Sequence, residues 1–490
     1  MTSPREPVII QGGMGAAVSS WRLAQAVART GQLGVVSGTA LDVILVRRLQ
    51  LGDPGGHLRR AMAEFPIAEV ADRILDRYYV PGGKAPDAPF RLSPLPSATP
   101  SRELEQLIVM GNFVEVWLAG ENHGGLVGIN YLEKIQAPTL PSLFGAMLAG
   151  VDYVLMGAGI PRLIPGILDR LSGGEAVDMP LDVDGAERDE RFTARFDPRE
   201  FCSGDPPWLN RPKFLAIVSS PTLATMLARK ADGRVDGFVV EGPTAGGHNA
   251  PPRGALRLND RGEPVYGERD VADLAAFRAL ERPFWLAGSY GSPERLVEAI
   301  DAGAAGIQVG TALAYCDESG LAPAIKRRVI DMCRCGELDV VTDPVASPTG
   351  FPFKVVSLPG SLSDDAIYDQ RERVCDLGFL RRAYRREDGT LGWRCQSENL
   401  NVYFQKGGCE ADTAGRKCVC NALLANVDLG QIRDEGWCEP PLVTSGDDVR
   451  GISRFLPTAD AVSYTARDVI RHLLSLVEPA AAPIAAATPG

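Results

Sequence analysis

Short apolar runs recur along the first part of the chain, and each is followed by a small-residue turn and then by a stretch with helical spacing. A strand, a turn and a helix repeated in this order are typical of βα units, whose strands pair in parallel. The number of units then decides the architecture. We predict eight strands, at residues 8–11, 34–37, 126–130, 151–156, 214–219, 237–241, 284–287 and 306–309.

Eight βα units predict an α/β fold of the (β/α)₈ or TIM-barrel type. Predicted helices at residues 20–30, 139–149, 161–171 and 221–230 lie between strands, and Pro293 stands where another helix begins. The units extend over residues 1–335, beyond the ~250 residues of a typical barrel, so insertions must account for the surplus. We expect three insertions. The first, near 81–118, contains a long loop, a helix and an extended piece at 113–118. The second, at 172–212, forms an excursion or lid, and the third, at 253–269, forms a small hairpin.

Beyond Leu321 the βα rhythm stops, and the rest of the chain carries eight of the ten cysteines. We predict a cysteine-rich C-terminal region at 336–476 and, because alanine and proline dominate the end, a disordered tail at 477–490. Thiolates can hold a tetrahedral structural zinc. Buried free thiols that pack as small apolar groups are the alternative, and an iron–sulfur cluster is a third. The candidate zinc ligands are Cys375, Cys395, Cys418 and Cys420.

Composition narrows the class of protein. A formal charge of −11, without a basic stripe or tail, argues against nucleic acid or an anionic membrane as a partner. The first residues lack the basic and apolar segments of a signal peptide, and glycines and Asp152 interrupt the best candidate membrane span. We therefore expect a cytoplasmic protein, in which disulfides are uncommon.

The sharpest local motif is VVEGPTAGGHNAPPRG, which follows the sixth predicted strand. Barrels carry their active sites at the C-terminal ends of their strands. Gly246 and Gly247 let the backbone approach a flat ligand or a phosphate closely, and His248 exchanges protons near neutral pH. A plain turn with a packed histidine is the alternative.

Three further glycine loops end predicted strands. Loops after the last two strands of a barrel often bind phosphate through backbone N–H groups, and helix N-termini favour anions. The QGGMG loop after the first strand offers the same close backbone approach, whereas no Rossmann fingerprint, P-loop or nucleophile elbow occurs. The candidate phosphate-binding residues are Gly288, Ser289 and Gly291 after the seventh strand and Gly310 and Thr311 after the eighth.

Taken in order, QGGMG, VGIN at 127–130, AGGH, AGSYGS and GT resemble the nitronate monooxygenase family, also called 2-nitropropane dioxygenase. The resemblance covers about residues 7–335. It implies a flavoprotein barrel that binds FMN, an oxidoreductase in which electrons pass to FMN and then to O₂. It also implies that His248 is the active-site histidine, either as the base that deprotonates a nitroalkane or as a cation beside a nitronate. By the same mapping, Gly12, Gly13 and Met14 lie along the flavin, Asn130 reaches its polar edge, Gly246 and Gly247 pass beneath it, and the loops with Gly288, Ser289, Gly291, Gly310 and Thr311 hold its phosphate.

The chain departs from the family pattern in the NAPPRG that follows His248 and in the long C-terminal region. Enoyl reductases of fatty acid or polyketide synthases share the barrel and the AGGH loop, so an NAD(P)H-dependent reductase is a second reading. A non-catalytic barrel used as a binding component is the third. Expected partners are a small-molecule substrate with O₂, and a second copy or a synthase component.

Overall fold

Eight parallel strands form the centre of the molecule, whose computed structural model describes residues 6–477. All eight strands predicted from the sequence are present within a residue or two of their expected ends. In chain order, the barrel strands are Ile9–Gln11, Gly34–Ser37, Val127–Leu132, Tyr153–Gly157, Lys213–Val218, Gly237–Glu241, Phe284–Ala287 and Gly306–Val309.

The strands pair in sequence order around a ring, and the eighth pairs in parallel with the first. Between the first and second strands the ring closes through a parallel bridge of Ile10 to Leu33, where Gln11 N donates to Leu33 O at 3.0 Å. The predicted (β/α)₈ barrel is therefore confirmed. Because all strands run in one direction, their C-terminal ends form one mouth, at which the eight following loops meet.

Alternate strand residues fill the barrel with a small apolar core that includes Val35, Leu155, Val239 and Trp285. Trp285 is fully buried, and its Nε1 donates to Pro7 O at 2.7 Å at the N-terminal end of the barrel. The interior is thus packed below the mouth, so the space for a ligand lies on the loop side.

Helices cover the outside of the barrel, and the predicted helices are all present. Their outward residues are polar while their inner faces join the main core. The helices up to residue 335 are Trp21–Ala28, Leu41–Gln50, His57–Ala63, Ala68–Tyr78, Arg102–Gly120, Thr139–Leu148, Ile164–Ser172, Pro198–Cys202, Pro221–Lys230, Leu274–Arg278, Pro293–Asp301, Thr311–Ala314 and Pro323–Cys335, with a 3₁₀ turn at Glu268–Asp270.

The prediction of an extended piece at 113–118 is wrong, because these residues belong to the helix Arg102–Gly120. Valines and Phe113 favour a strand locally, but they are buried against the neighbouring helices, and tertiary packing overrides that preference. Ser101 caps the helix by accepting a hydrogen bond from Leu104 N at 3.2 Å.

The other two insertions form small antiparallel units. In the segment 172–212, Val177–Pro180 pairs with Thr193–Phe196, and Val183–Asp184 joins a strand of the C-terminal region. The segment 253–269 turns back on itself, with Leu258 paired to Pro264 in an antiparallel bridge.

The C-terminal region packs against the barrel and its apolar residues join the same core. Gln431 exchanges two hydrogen bonds with the backbone of Phe90, at 2.7 and 3.0 Å, and Tyr464 OH donates to Ala312 O at 2.7 Å. The domain limits given above remain predictions, and residues 478–490 of the expected tail lie outside the described part. Elements of this region are the strands Val340–Asp343, Phe353–Val356, Arg382–Arg385 and Leu391–Arg394, the helices Asp365–Gln370, Leu400–Gln405, Val419–Ala425 and Ala466–Leu473, and the 3₁₀ turns Glu410–Asp412, Asp434–Gly436, Asp447–Phe455 and Leu474–Leu476.

Within residues 6–477, no helix combines the length and apolar character that crossing a membrane requires.

Candidate active site

The glycine loops predicted from the sequence surround one cavity at the barrel mouth, which we call the glycine cavity. It encloses about 910 Å³, including its opening. Of the eleven predicted cofactor-binding residues, ten line it and Asn130 does not. The ten are Gly12, Gly13, Met14, Gly246, Gly247, Gly288, Ser289, Gly291, Gly310 and Thr311.

Close packing joins the loops after the first and eighth strands to each other and to the third strand. Gly12 N donates to Val309 O at 2.9 Å. A Cβ atom at Gly13 would lie 2.3 Å from Cβ of Asn130, and one at Gly310 would lie 3.4 Å from Sδ of Met14. A side chain at Gly13 is therefore excluded, and Asn130 lies directly beside this loop.

The loop after the seventh strand adopts a left-handed backbone at two successive residues. Gly288 has φ +89°, and Ser289 has φ +57°, which is unusual for a residue with a side chain. Strained residues of this kind occur often at functional sites. The turn directs the loop toward the sixth-strand loop, where a Cβ at Gly288 would lie 2.9 Å from Oγ1 of Thr244.

A segment of the C-terminal region, residues 443–448, crosses the barrel mouth, and we call it the strap. Its Thr444 Oγ1 accepts from Gly247 N at 2.8 Å, Gly446 N donates to Thr311 Oγ1 at 3.1 Å, and Asp447 N donates to Thr244 O at 3.0 Å. The strap thus ties together the loops after the sixth and eighth strands and forms part of the wall of the glycine cavity.

A second cavity, the covered cavity, adjoins the first and encloses about 1030 Å³. Asn130 and His248 line it, and both cavities share Gly13, Gly246 and Gly247. The C-terminal region covers it with apolar side chains. These are Phe353, Phe379, Leu380, Val419 and Leu423.

His248 is held by residues of the C-terminal region. Its Nε2 lies 2.7 Å from Oγ of Ser347, and its ring centroid lies 4.8 Å from that of Phe353. Burial lowers the pKa of His248 to about 4. The imidazole is therefore neutral at pH 7 and can accept a proton.

Glu241, the last residue of the sixth barrel strand, lines the glycine cavity, the covered cavity and a third cavity beneath the 253–269 hairpin. Burial raises the pKa of this carboxyl to about 7. Glu241 and His248 both border the covered cavity and the third cavity. The barrel mouth therefore holds two groups that can exchange a proton around one space.

The third cavity is roofed by the hairpin, which Arg253 fastens to the barrel. Its Nη2 donates to Ser219 O at 2.9 Å and its Nη1 to Arg269 O at 2.6 Å. Because the guanidinium of Arg253 is hydrogen-bonded to two backbone carbonyls, its role here is to hold the hairpin in place.

Unpaired polar atoms accompany the glycines in the glycine cavity. Among residues 6–477, Oε1 of Gln308 and Oδ1 of Asn426 are buried without a hydrogen-bond partner, and both side chains line the cavity. Such groups are costly unless a ligand or water satisfies them. Glycine backbone, open space at Gly247 and acceptors at Gln308 and Asn426 fit the flat, polar ring system of a flavin.

The zinc prediction for Cys375, Cys395, Cys418 and Cys420 is not supported. The four thiols do line one small cavity, but the part of the chain that the structure describes contains no group of three or more side chains arranged to hold a metal ion. Cys375 is hydrogen-bonded to Cys395, and burial raises the pKa of Cys418 and Cys420. Neutral, packed thiols are favoured there over metal-binding thiolates.

Sequence reasoning missed Glu241, Gln308, Ser347 and the strap. Glu241 directly precedes the Gly242 of the motif that singled out His248, so its place at a strand end was a usable signal. Nothing local distinguishes Ser347 or the strap, because both reach the site only through the packing of the C-terminal region.

Comparison with known proteins gives one family match and several similar structures. The family model described as nitronate monooxygenase matches residues 204–345, which include the last four barrel strands and the loops with His248, Gly288 and Gly310. No curated protein matches the chain.

Similar solved structures include FabK from Thermotoga maritima, at 15% identity over 96% of this chain and 93% of that chain, with a TM-score of 0.46. Nitroalkane oxidase from Streptomyces ansochromogenes shows 15% identity over 96% of both chains, with a TM-score of 0.45. The enoyl reductase domain of MlnA from Bacillus amyloliquefaciens shows 12% identity over 96% of this chain and 92% of that chain, with a TM-score of 0.45.

The family match includes three of the five motifs that carried the sequence resemblance, AGGH, AGSYGS and GT, whereas QGGMG and VGIN lie outside it. Residues 204–345 are therefore similar to the nitronate monooxygenase family.

Proposed function

We propose that this protein is an FMN-dependent oxidoreductase that oxidises a nitroalkane or its nitronate with O₂. The observation that carries the proposal is the common border of His248 and Glu241 on the covered cavity, beside the glycine loops. The family match supports the flavin, and the residues proposed to hold it are those of the glycine cavity together with Asn130. When bound, FMN supplies a two-electron acceptor that O₂ can reoxidise.

The protein's own contribution is proton handling in a confined apolar space. A neutral imidazole at His248 can take the proton from the carbon next to a nitro group, and the carboxyl of Glu241 can hold a proton in the same cavity. Ser347 fixes the imidazole through Nε2, while the apolar cover from the C-terminal region limits access of water.

The lack of positive charge around the covered cavity favours a neutral substrate. Within residues 6–477, no lysine or arginine lines this cavity. An anionic nitronate would have no fixed cation beside it, since His248 is neutral at pH 7. We therefore propose the neutral nitroalkane as the preferred form and His248 as its base.

The apolar cover also favours a second candidate, reduction of an enoyl group on an acyl chain by NAD(P)H. The apolar side chains that line the covered cavity suit an unbranched carbon chain; they include Leu132, Ile135, Phe353, Phe379 and Leu380. Such an enzyme would need a pyridine nucleotide to reduce its flavin, whereas oxidation of a nitroalkane does not.

One set of measurements separates these readings. The flavin spectrum of the purified protein is recorded first, and anaerobic bleaching and oxygen uptake are then followed with nitroethane, with ethyl nitronate, and with NADH or NADPH. We expect bleaching and oxygen uptake with nitroethane. Fast reduction by a pyridine nucleotide without oxygen uptake on nitroethane would favour the reductase, and a protein that binds no flavin would leave only a non-catalytic binding role.

A further inference from the structure

Asp448, on the strap, places its carboxyl group in the end of the glycine cavity that was predicted to hold phosphate, and burial raises the pKa of this carboxyl. Its Oδ2 lies 3.0 Å from the Cβ position of Gly291, and its Oδ1 lies 3.0 Å from that of Gly446. The carboxylate is also hydrogen-bonded to Thr311. The side chain therefore lies between the loops after the seventh and eighth barrel strands.

The strap holds the Asp448 backbone in this position. Gly446 and Asp447 on its N-terminal side are bonded to Thr311 and Thr244. On its other side, Val449 and Ile452 of the 3₁₀ turn Asp447–Phe455 are buried in the core. The carboxylate is thus delivered to the cavity by the fold rather than by a free surface loop.

Little positive charge offsets it. No lysine or arginine within residues 6–477 lines the glycine cavity. Lys354 pairs with the neighbouring strap residue instead, since its Nζ lies 2.5 Å from Oδ1 of Asp447. Arg454 lies near Asp448 and acts on it only through its charge. A phosphate monoester entering here would meet backbone N–H groups, hydroxyls and one carboxylate.

We propose that Asp448 is a specificity-determining residue that disfavours a phosphate group at this end of the cavity and so lowers the preference for FMN over riboflavin. The inference rests on the proposed flavin site and refines it. Two like charges at contact distance in a partly buried site repel strongly. Under the proposed function, the residues that would hold the isoalloxazine ring, which the two flavins share, are Gly13 and Gly247, so its binding should not depend on Asp448.

Fluorescence titration of flavin-free protein with FMN and with riboflavin tests this directly. In the wild type, we expect FMN to bind no more than about threefold more tightly than riboflavin. In Asp448→Asn, FMN should gain about tenfold or more in affinity, with riboflavin changing by less than about twofold.

Glu294→Gln is the matched control, because it removes one charge from an exposed position three residues after Gly291. We expect it to leave the ratio of the two affinities unchanged. This inference would be overturned if Asp448→Asn and the wild type had the same ratio of FMN to riboflavin affinity, or if the wild type preferred FMN by tenfold or more. Either result would leave the proposed flavin site intact. The ratio for the wild type tests the inference even if the variant does not fold. If neither flavin bound to the wild type, the proposed function and this inference would both be wrong.

Discussion

Nε2 of His248 lies 2.7 Å from Oγ of Ser347, so that the imidazole of a barrel loop is fixed by a hydroxyl from the C-terminal region. Ser347 is fully buried and also contacts Oγ1 of Thr349 at 2.9 Å. The two parts of the chain therefore complete one site, and the position of the histidine depends on both.

Replacing Ser347 with alanine should lower turnover by ~10-fold, because the imidazole loses the partner that orients it. Flavin affinity should stay within about twofold of the wild type, since Ser347 does not line the glycine cavity. Steady-state oxygen uptake and a flavin titration measure the two effects. The exposed Ser475→Ala is the control, and an unchanged turnover in Ser347→Ala would show that this contact does not position the ring.

Replacing His248 with asparagine should reduce turnover of a neutral nitroalkane by ~10²-fold or more, as loss of a general base does. Because the pKa of the wild-type imidazole is lowered to about 4, the basic form persists as the pH falls from 8 to 5 and is lost only near pH 4. Oxygen uptake at several pH values, with the flavin spectrum as the check on binding, tests this. Equal turnover in variant and wild type would exclude His248 as the base.

Replacing Glu241 with glutamine should stabilise the protein at high pH. The folded-state pKa of about 7 lies above the unfolded one, so the wild type has its full stability below the unfolded pKa and loses part of it as the pH rises through about 7. The stability gained by the variant should therefore grow between pH ~4.5 and ~7, by at most about 3 kcal/mol. Urea unfolding of variant and wild type at pH 5 and pH 8 measures this difference in stability. An equal difference at both pH values would contradict the raised pKa of Glu241.

Replacing Gly13 with alanine should weaken flavin binding by ~10-fold or more. The new methyl group would lie 2.3 Å from Cβ of Asn130, so the loop and the asparagine must move apart at the edge of both cavities. Gly124→Ala is a matched control, because a Cβ there meets nothing within 4 Å. Flavin titration of both variants decides the matter, and equal affinities would show that this contact does not shape the site.

Replacing Glu439 with glutamine should destabilise the C-terminal region by ~3 kcal/mol. Its carboxylate accepts from Arg371 at 2.8 and 2.9 Å and from Arg433 at 3.0 Å, and both Glu439 and Arg371 are buried. The change leaves the buried guanidinium of Arg371 without its charge partner, whereas Arg433 keeps its pair with Asp376 at 2.7 Å. Urea unfolding measures the loss, and Glu298→Gln, which breaks an exposed pair with Arg295, should cost less than ~1 kcal/mol.

The barrel and its glycine loops could be predicted from the sequence because both depend on local patterns. Apolar runs followed by helical spacing specify βα units, and parallel strands bring their C-terminal ends to one mouth whatever the distance between them along the chain. The loops of Gly13, Gly247, Gly288 and Gly310 therefore had to meet there. His248 followed from its place in the loop after the sixth strand, whereas the resemblance to the nitronate monooxygenase family came from the order of the loop motifs.

Only the tertiary structure decided what the C-terminal region contributes. Asp448 and Ser347 reach the barrel mouth through packing between segments far apart in sequence, and no local pattern records such contacts. Packing also determined that residues 113–118 are helical, because their burial among helices outweighed the strand preference of their side chains. For the cysteines, spacing predicted that the thiols gather, but whether they bind metal depends on the orientation and burial of Cys375 and Cys418, which spacing does not specify.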